Sequence, residues 1–213
     1  MLTLANPLNS KVDRSTRDDH TRQMSKSTTP SLRNHFLLAM PQLADPRFAH
    51  TVTYLCEHNE NGAMGIVINR PLSVTIGDIF KQLQIDVSPN PLNNNDLVFA
   101  GGPVQTERGF VIHPAEGQWE STIKMENNIN ITTSKDILHA IAHNAGPTEF
   151  LIALGYAGWS AGQLESELAA NAWIYSPADT QILFRTPHDK RLEAAAGLLG
   201  VDINLLSSDV GHA

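Results

Sequence analysis

The residues best equipped for chemistry lie in two short stretches. The first is YLCEHNENGAMG at 54–65, which holds the single cysteine of the chain, Cys56, and a histidine two places later, His58. On a regular strand, residues two apart share a face. The pair could therefore serve as metal ligands or as a thiol with its base. Zinc would need further ligands, and only the scattered His35, His50 and His113 could supply them. A nucleophilic thiol needs an electropositive, partly open setting, which Glu57 and Glu60 oppose. The favoured reading makes Cys56 a small packing residue and has His58 end its strand at the sheet rim. A redox or metal protein using Cys56 and His58 is the alternative.

The second stretch is GWSAG at 158–162, which matches the G-x-S-x-G nucleophile elbow between a strand and a helix. Asp179 with His188, or Asp209 with His212, would complete a serine–acid–histidine order. Three features oppose a hydrolase. Tyr156 and Ala157 separate the expected strand from the motif, only 53 residues follow the serine, and residues 34–150 read as hairpins. The favoured reading pairs Ser160 with Gln163 as a capping box that opens a helix. A small serine hydrolase using Ser160 is the alternative.

Two weaker signals remain. His139 and His143 have the i, i+4 spacing of zinc helices. With Ile137 set at zero, however, they fall at about 200° and 240°, opposite the apolar stripe of Ile137, Leu138, Ile141 and Ala142, and so face solvent. The glycine-rich turns AGGPV (100–104) and GYAGWSAG (155–162) lack the lysine of a P-loop and the G-x-G-x-x-G pattern. Loops at strand ends often bind ligands, so Gly101, Gly102, Tyr156, Gly158 and Trp159 are the candidate ligand-binding residues. No catalytic residue, metal ligand or cofactor is assigned.

The elements that must position these residues follow from periodicity. FLLA (36–39) reads as a buried strand. TVTYLCEH (51–58) alternates with Val52, Tyr54, Cys56 and His58 on one face, Asn61-Gly62 marks a hairpin turn, and AMGIVIN (63–69) returns. Helices are expected at 75–83, 134–144, 161–171 and 187–199, the last closed by Gly200. Further strands are expected at 97–100, 108–113, 121–125, 128–133, 149–155, 173–175 and 181–184, with a loop at 88–96. This order gives one α+β domain over 34–213. Residues 1–33 are polar and aperiodic and read as a disordered tail. Within the tail, Met24 offers an alternative start.

Composition narrows the partners. Hydrophobic residues make up 41% of the 213, enough for a sizeable core. One cysteine excludes an internal disulfide framework. Neither a membrane span nor a secretory signal is legible, so no membrane partner is expected and the cytoplasm is the default location. The first 33 residues carry six basic and three acidic side chains, net +3, which leaves −10 for the remainder of a chain of net charge −7. A body that acidic repels phosphate backbones and disfavours direct contact with nucleic acid.

Taken together, HFLLAMP (35–41), YLCEHN (54–59), NGAMGIVINRPL (61–72), GGPV (101–104), RGFVIH (108–113) and TTSKDIL (132–138) resemble the bacterial AlgH/YqgE family. So do LIALGYAGW (151–159), GQLE (162–165), NAWI (171–174), PAD (177–179), GVDI (200–203) and the terminal GHA. The resemblance runs from about His35 to Ala213 and leaves out the tail. It implies an α+β fold with a bifurcated, partly barrel-like mixed sheet surrounded by helices. It brings no settled activity and no catalytic residues, and the family motif does not require serine at position 160. One branch is named for a proposed role in regulating alginate synthesis. The resemblance therefore implies a bacterial transcriptional regulator; the acidic body and the lack of a helix-turn-helix signal make its expected action indirect, through a small-molecule or protein partner.

Overall fold

The computed structural model describes residues 30–43 and 45–202. Of the expected tail, 1–29 lie outside the described residues, as do Met24, Asp209, His212 and the terminal GHA. The fold begins slightly earlier than its expected boundary. Leu32 is only 7% exposed, and the Ser31 hydroxyl donates to the His58 carbonyl (2.8 Å).

Among the described residues, ten strands form one sheet. They are β1 (His35–Ala39), β2 (Val52–Asn59), β3 (Gly62–Val67), β4 (Pro71–Thr75), β5 (Leu97–Ala100), β6 (Val104–Pro114), β7 (Thr122–Lys124), β8 (Ile129–Thr132), β9 (Leu151–Ser160) and β10 (Trp173–Pro177). Five α-helices among the described residues accompany them: α1 (Ile76–Gln82), α2 (Lys135–Ala142), α3 (Gln163–Ala169), α4 (Thr180–Phe184) and α5 (Arg191–Gly197). The main path runs β10-β1-β2-β3-β9-β6-β8-β7. All its pairs are antiparallel, and the parallel pairing of β5 with β9 makes the sheet mixed.

The sheet forks at β9. Residues 157–160 pair with β3, whereas Ala153 and Leu154, on the stretch that also pairs with β6, take β5 alongside. At the fork the Gly101 carbonyl accepts from Val67 N–H (2.8 Å) and the Gly101 N–H donates to Leu154 (2.7 Å). Backbones approach so closely there that a Cβ on Gly101 would lie 2.2 Å from the Gly155 carbonyl oxygen, and one on Gly102 would lie 2.1 Å from the Tyr156 carbonyl carbon. Only glycine fits such a crossing.

Both faces of the sheet are covered, which explains why FLLA reads as a continuous apolar run. Phe36, Leu38, Val52, Tyr54, Ile66, Phe110 and Ile112 face a core completed by Ile182 and Leu183 of α4 and Ala195 and Ala196 of α5. On the opposite face, Leu37, Ala39 and Leu55 pack with Leu164 of α3. Farther along that sheet, Val98, Val111 and Ile152 pack with Ile76 and Phe80 of α1 and Ile137 and Ile141 of α2. No helix among the described residues is long and apolar enough to cross a membrane.

Four local expectations change. Residues 181–184 form helix α4 and not a strand. Asp179 accepts from the Ile182 N–H (3.0 Å) and caps the first turn, whereas a four-residue apolar run carries no decisive period. Pro71–Thr75 adds β4, paired only with β5 and so able to begin with proline. Strand β9 continues to Ser160, so the first half of GWSAG lies within the strand. The hairpin loop is Glu60-Asn61, with Gly62 already in β3; the Asn59 side chain accepts from Asn61 N–H (2.8 Å) to shape it.

Candidate functional site

A bulge separates Cys56 from His58. Between Leu55 and Glu57 the register with β3 shifts by one residue. Such a bulge reverses side-chain parity beyond it. Cys56 stays with Val52 and Tyr54 in the core beneath α4 and α5. His58 turns to the α3 face, where Leu32 and Leu164 lie. The shared face expected for the pair does not exist. Cys56 is 4% exposed, its Sγ donates to the Tyr54 carbonyl (3.5 Å), and burial pushes its thiol far above the usual range. No group of three or more His, Cys, Asp or Glu among the described residues could hold a metal ion.

His58 is buried and doubly bonded, not idle at the sheet rim. Its Nδ1 accepts from the buried Leu32 N–H at 2.8 Å. A nitrogen that accepts carries no proton, so Nε2 holds the hydrogen and donates it to Glu165 Oε1 at 2.9 Å. The arrangement copies half of a catalytic triad, with a backbone amide where the nucleophile would stand. The basic lone pair is occupied, and His58 fastens the start of the fold to α3. Glu165 sits below the usual carboxylate range, first through a bond from its own backbone N–H and then through His58.

Ser160 does not cap α3. The N-cap is Gly162, in left-handed conformation (φ 74°) and without a side-chain cap. Half of the expected capping box survives: Gln163 Oε1 accepts from Ser160 N–H (3.0 Å). The Ser160 hydroxyl donates to that same oxygen (3.1 Å). The serine is exposed at the strand end, and its only side-chain partner among the described residues is Gln163.

Glu167 organises the rest of this flank. One carboxylate oxygen accepts both indole N–H groups, Trp159 Nε1 at 2.8 Å and Trp173 Nε1 at 2.7 Å. The other accepts from Gln163 Nε2 at 2.8 Å. The two indole rings meet edge-on at 5.9 Å, and Phe48 packs on both. Trp159 is thus a structural clamp that holds α3 on the sheet. Of the other candidate ligand residues, Gly101 and Gly102 lie at the fork, Tyr156 packs edge-on against Phe110 (6.0 Å), and Gly158 pairs with Met64. His139 and His143 are exposed, as their helical phase predicts.

An open cleft of about 340 Å³ lies elsewhere, between α1, α2 and the sheet. Val111, Ile152 and Leu154 give it an apolar floor, and Ile79, Leu83 and Leu138 add apolar walls. Thr106, Glu107, Thr132, Thr133, Ser134 and Lys135 supply polar groups. Ser134 accepts from Ser121 N–H (3.1 Å). Burial works to raise the Asp136 carboxyl, but bonds from Ser134 and from the Glu120 and Ile137 N–H groups hold it below the usual range.

Thr132 also joins this cleft to a buried relay. His113 is fully buried. Its Nδ1 meets the Pro114 carbonyl (2.6 Å) and its Nε2 meets Thr132 Oγ1 (2.9 Å). Thr132 Oγ1 lies 2.8 Å from Thr122 Oγ1, which donates to the Trp119 carbonyl (3.0 Å). A carbonyl can only accept, so Nδ1 carries a hydrogen. A neutral imidazole and two hydroxyls then bring three hydrogens to four contacts, and a charged imidazole would fill all four. Burial opposes the charge and lowers the His113 pKa; the Pro114 carbonyl and Glu116 act the other way. The sequence marks His113 only as a scattered histidine, since its side-chain partner Thr132 comes from β8 and the next hydroxyl, Thr122, from β7.

Three comparisons bear on this architecture. The AlgH-like family model (DUF179) matches residues 36–204. A UPF0301 protein of Pseudomonas fluorescens is 53% identical over 189 residues, 88% of this chain and all of that protein. One of Stutzerimonas stutzeri is 56% identical over the same length and coverage. The solution structure of the AlgH protein from Pseudomonas aeruginosa superimposes with a TM-score of 0.72 at 51% identity, covering 89% of this chain and all of that one. A Corynebacterium diphtheriae protein at 17% identity shares the fold, with a TM-score of 0.65 over 84% of this chain and 93% of its own.

Proposed function

Starting from the fact that the chain belongs to the AlgH-like family, we propose that it is a cytoplasmic regulatory protein that binds a small molecule or a protein partner without turning it over. One observation carries this reading. The side chains that could act as nucleophile or base, His58, Ser160 and Cys56, have their reactive atoms bonded within the fold or buried, whereas the cleft between α1 and α2 is open. Its apolar floor and hydroxyl-rich edge have the character of a site for a small amphiphilic ligand. The acidic charge of the chain, −7 overall, favours indirect regulation over direct contact with DNA.

The test is native mass spectrometry of protein purified from its own cells. A retained small molecule or co-purified partner is expected, and it should be lost from Thr133→Trp, which fills the cleft. Stoichiometric capture by a serine- or thiol-directed activity probe, with nothing retained, would overturn the reading in favour of an enzyme.

A further inference from the structure

The side chain of Arg191 is the least expected charge in the fold. It opens α5, is 7% exposed, and its guanidinium lies 5.1 Å from the centre of the Phe99 ring. Nε donates to the Thr186 carbonyl at 3.1 Å, and Nη1 donates to the Ile68 carbonyl. These bonds fasten α5 to the end of β3 and to the turn before the helix. They leave the charge itself without a counter-ion: among the described residues no carboxylate lies within ion-pair distance of Arg191. A buried cation lacking an acid is uncommon, because desolvation is costly unless an opposite charge offsets it.

The remaining nitrogen is not sealed away. Among the described residues Nη2 makes no hydrogen bond, yet the fully buried unpartnered side-chain atoms there are Thr53 Oγ1 and Ser176 Oγ. Arg191 lines a cleft of about 410 Å³ between β5, the 184–188 turn and the start of α5, a volume in the range of small-molecule sites. Arg185 lines it too but is already forked onto Glu149 (2.7 and 3.3 Å). Asp96, the cleft's carboxylate, is exposed and bonded to Asn93 Nδ2 (2.8 Å). Ile76, Leu97, Phe99, Phe150 and Phe184 make much of the wall apolar. His188 meets Phe99 edge-on at 6.1 Å.

We infer that this cleft binds a small organic acid, its carboxylate on Arg191 Nη2 and its apolar or aromatic body against Phe99, Phe150 and Phe184. A guanidinium held by two carbonyls is preorganised, so little side-chain entropy remains to be lost on binding. The phenyl face beneath it completes a low-dielectric seat where a carboxylate–guanidinium contact is strong. This site is separate from the α1–α2 cleft and does not rest on the function proposed for it.

The experiment is a two-dimensional amide NMR titration of the full chain with benzoate, with benzyl alcohol as the neutral counterpart and inorganic phosphate as a bare oxyanion. Benzoate should shift the amides of Phe99, Thr186, His188 and Arg191 saturably, and benzyl alcohol should not. Phosphate should bind more weakly, lacking the apolar body. Arg191→Lys keeps the charge but loses the fork, and should weaken benzoate about tenfold or more. If that variant does not fold, Phe99→Leu keeps Arg191 and should weaken benzoate while sparing phosphate. Equal responses to benzoate and benzyl alcohol would overturn the inference, as would silence at these amides. Benzoate shifts confined to Thr133 and Leu138 would also overturn it, while leaving the proposed function standing.

Discussion

The two faces of the β1–β3 end of the sheet meet their helices in different ways. On the α3 face the ionisable groups that could do chemistry find their matches inside the fold. Glu167 accepts two indoles and an amide, and His58 accepts from Leu32 and donates to Glu165. On the α5 face, Arg191 has two carbonyls and, among the described residues, no acid. Residue type alone would assign chemistry to the first face and packing to the second. The bonding assigns them the other way. What decides availability is whether the atom that would react already has a partner, and the chain's long-range pairing determines that.

The largest effect should come from removing the acid at the centre of the closed face. Glu167→Ala leaves two indole N–H groups without an acceptor, so it should cost about 2–4 kcal/mol, each unsatisfied donor costing roughly 1–3. Urea unfolding followed by tryptophan fluorescence reads it directly, because two of the three tryptophans, Trp159 and Trp173, sit on the site. Glu167→Gln keeps one acceptor oxygen and should cost about half as much. A neutral result for Glu167→Ala would break the comparison, since the closed face would then owe little to its polar clamp.

Cys56 sharpens the same contrast from the core. Its thiol is buried and far from its usual ionisation range, so a thiol reagent at neutral pH should label native protein slowly and denatured protein at once. Cys56→Ala should cost about 1 kcal/mol through a small cavity. Cys56→Ser should cost more, about 2 kcal/mol, because the new hydroxyl must be satisfied in an apolar core. Fast native labelling would return Cys56 to the reactive residues.

His113 gives a pH signature. Its folded pKa lies below the usual 6.5, so between 6.5 and that lower value the unfolded chain binds a proton that the folded chain refuses. The contribution of His113 is complete above pH 6.5 and is lost as the pH falls through that window, by about 1.4 kcal/mol for each unit of depression. His113→Gln does not titrate. Its stability deficit relative to the parent should therefore be larger at pH 7.5 than at pH 5 in matched urea titrations. A deficit that grows on acidification would mean that the fourth hydrogen of the relay outweighs desolvation.

Much of the fold was legible because its signals are local. The apolar run FLLA, the alternation in TVTYLCEH, and the glycine after α5, at φ 69°, each depend on a few neighbours. The failures share a cause. The bulge that parts Cys56 from His58 is a property of the β2–β3 pair, not of either sequence alone. The QILF run carries no period strong enough to oppose its Asp179 cap. Nor does either glycine-rich stretch alone show that the glycines at 101 and 102, read as part of a ligand loop, also carry the fork where β5 meets β9. Arg191 carried no signal at all, because an arginine at a helix start reads as solvated until the packing places Phe99 and Ile68 around it.

The smallest effect should come from Ser160. A serine in G-x-S-x-G is a nucleophile only if its oxygen is presented to a base, and a capping serine matters only if its oxygen accepts from the first helical turn. Neither holds here. The hydroxyl donates outward to Gln163 Oε1, and the backbone N–H of the same residue supplies the bond that organises the turn. Ser160→Ala removes an exposed donor whose acceptor keeps two other hydrogen-bonding options, solvent and that N–H. It should cost no more than about 0.5 kcal/mol, as exposed substitutions usually do. Gln163→Ala removes the acceptor of the Ser160 N–H and a donor to Glu167, so it should cost more, about 1 kcal/mol. That ordering is the sharp test, because a true N-cap serine reverses it. A fluorophosphonate probe provides the chemical counterpart: the protein should stay unlabelled, and labelling abolished by Ser160→Ala would move the chemistry back to the closed face.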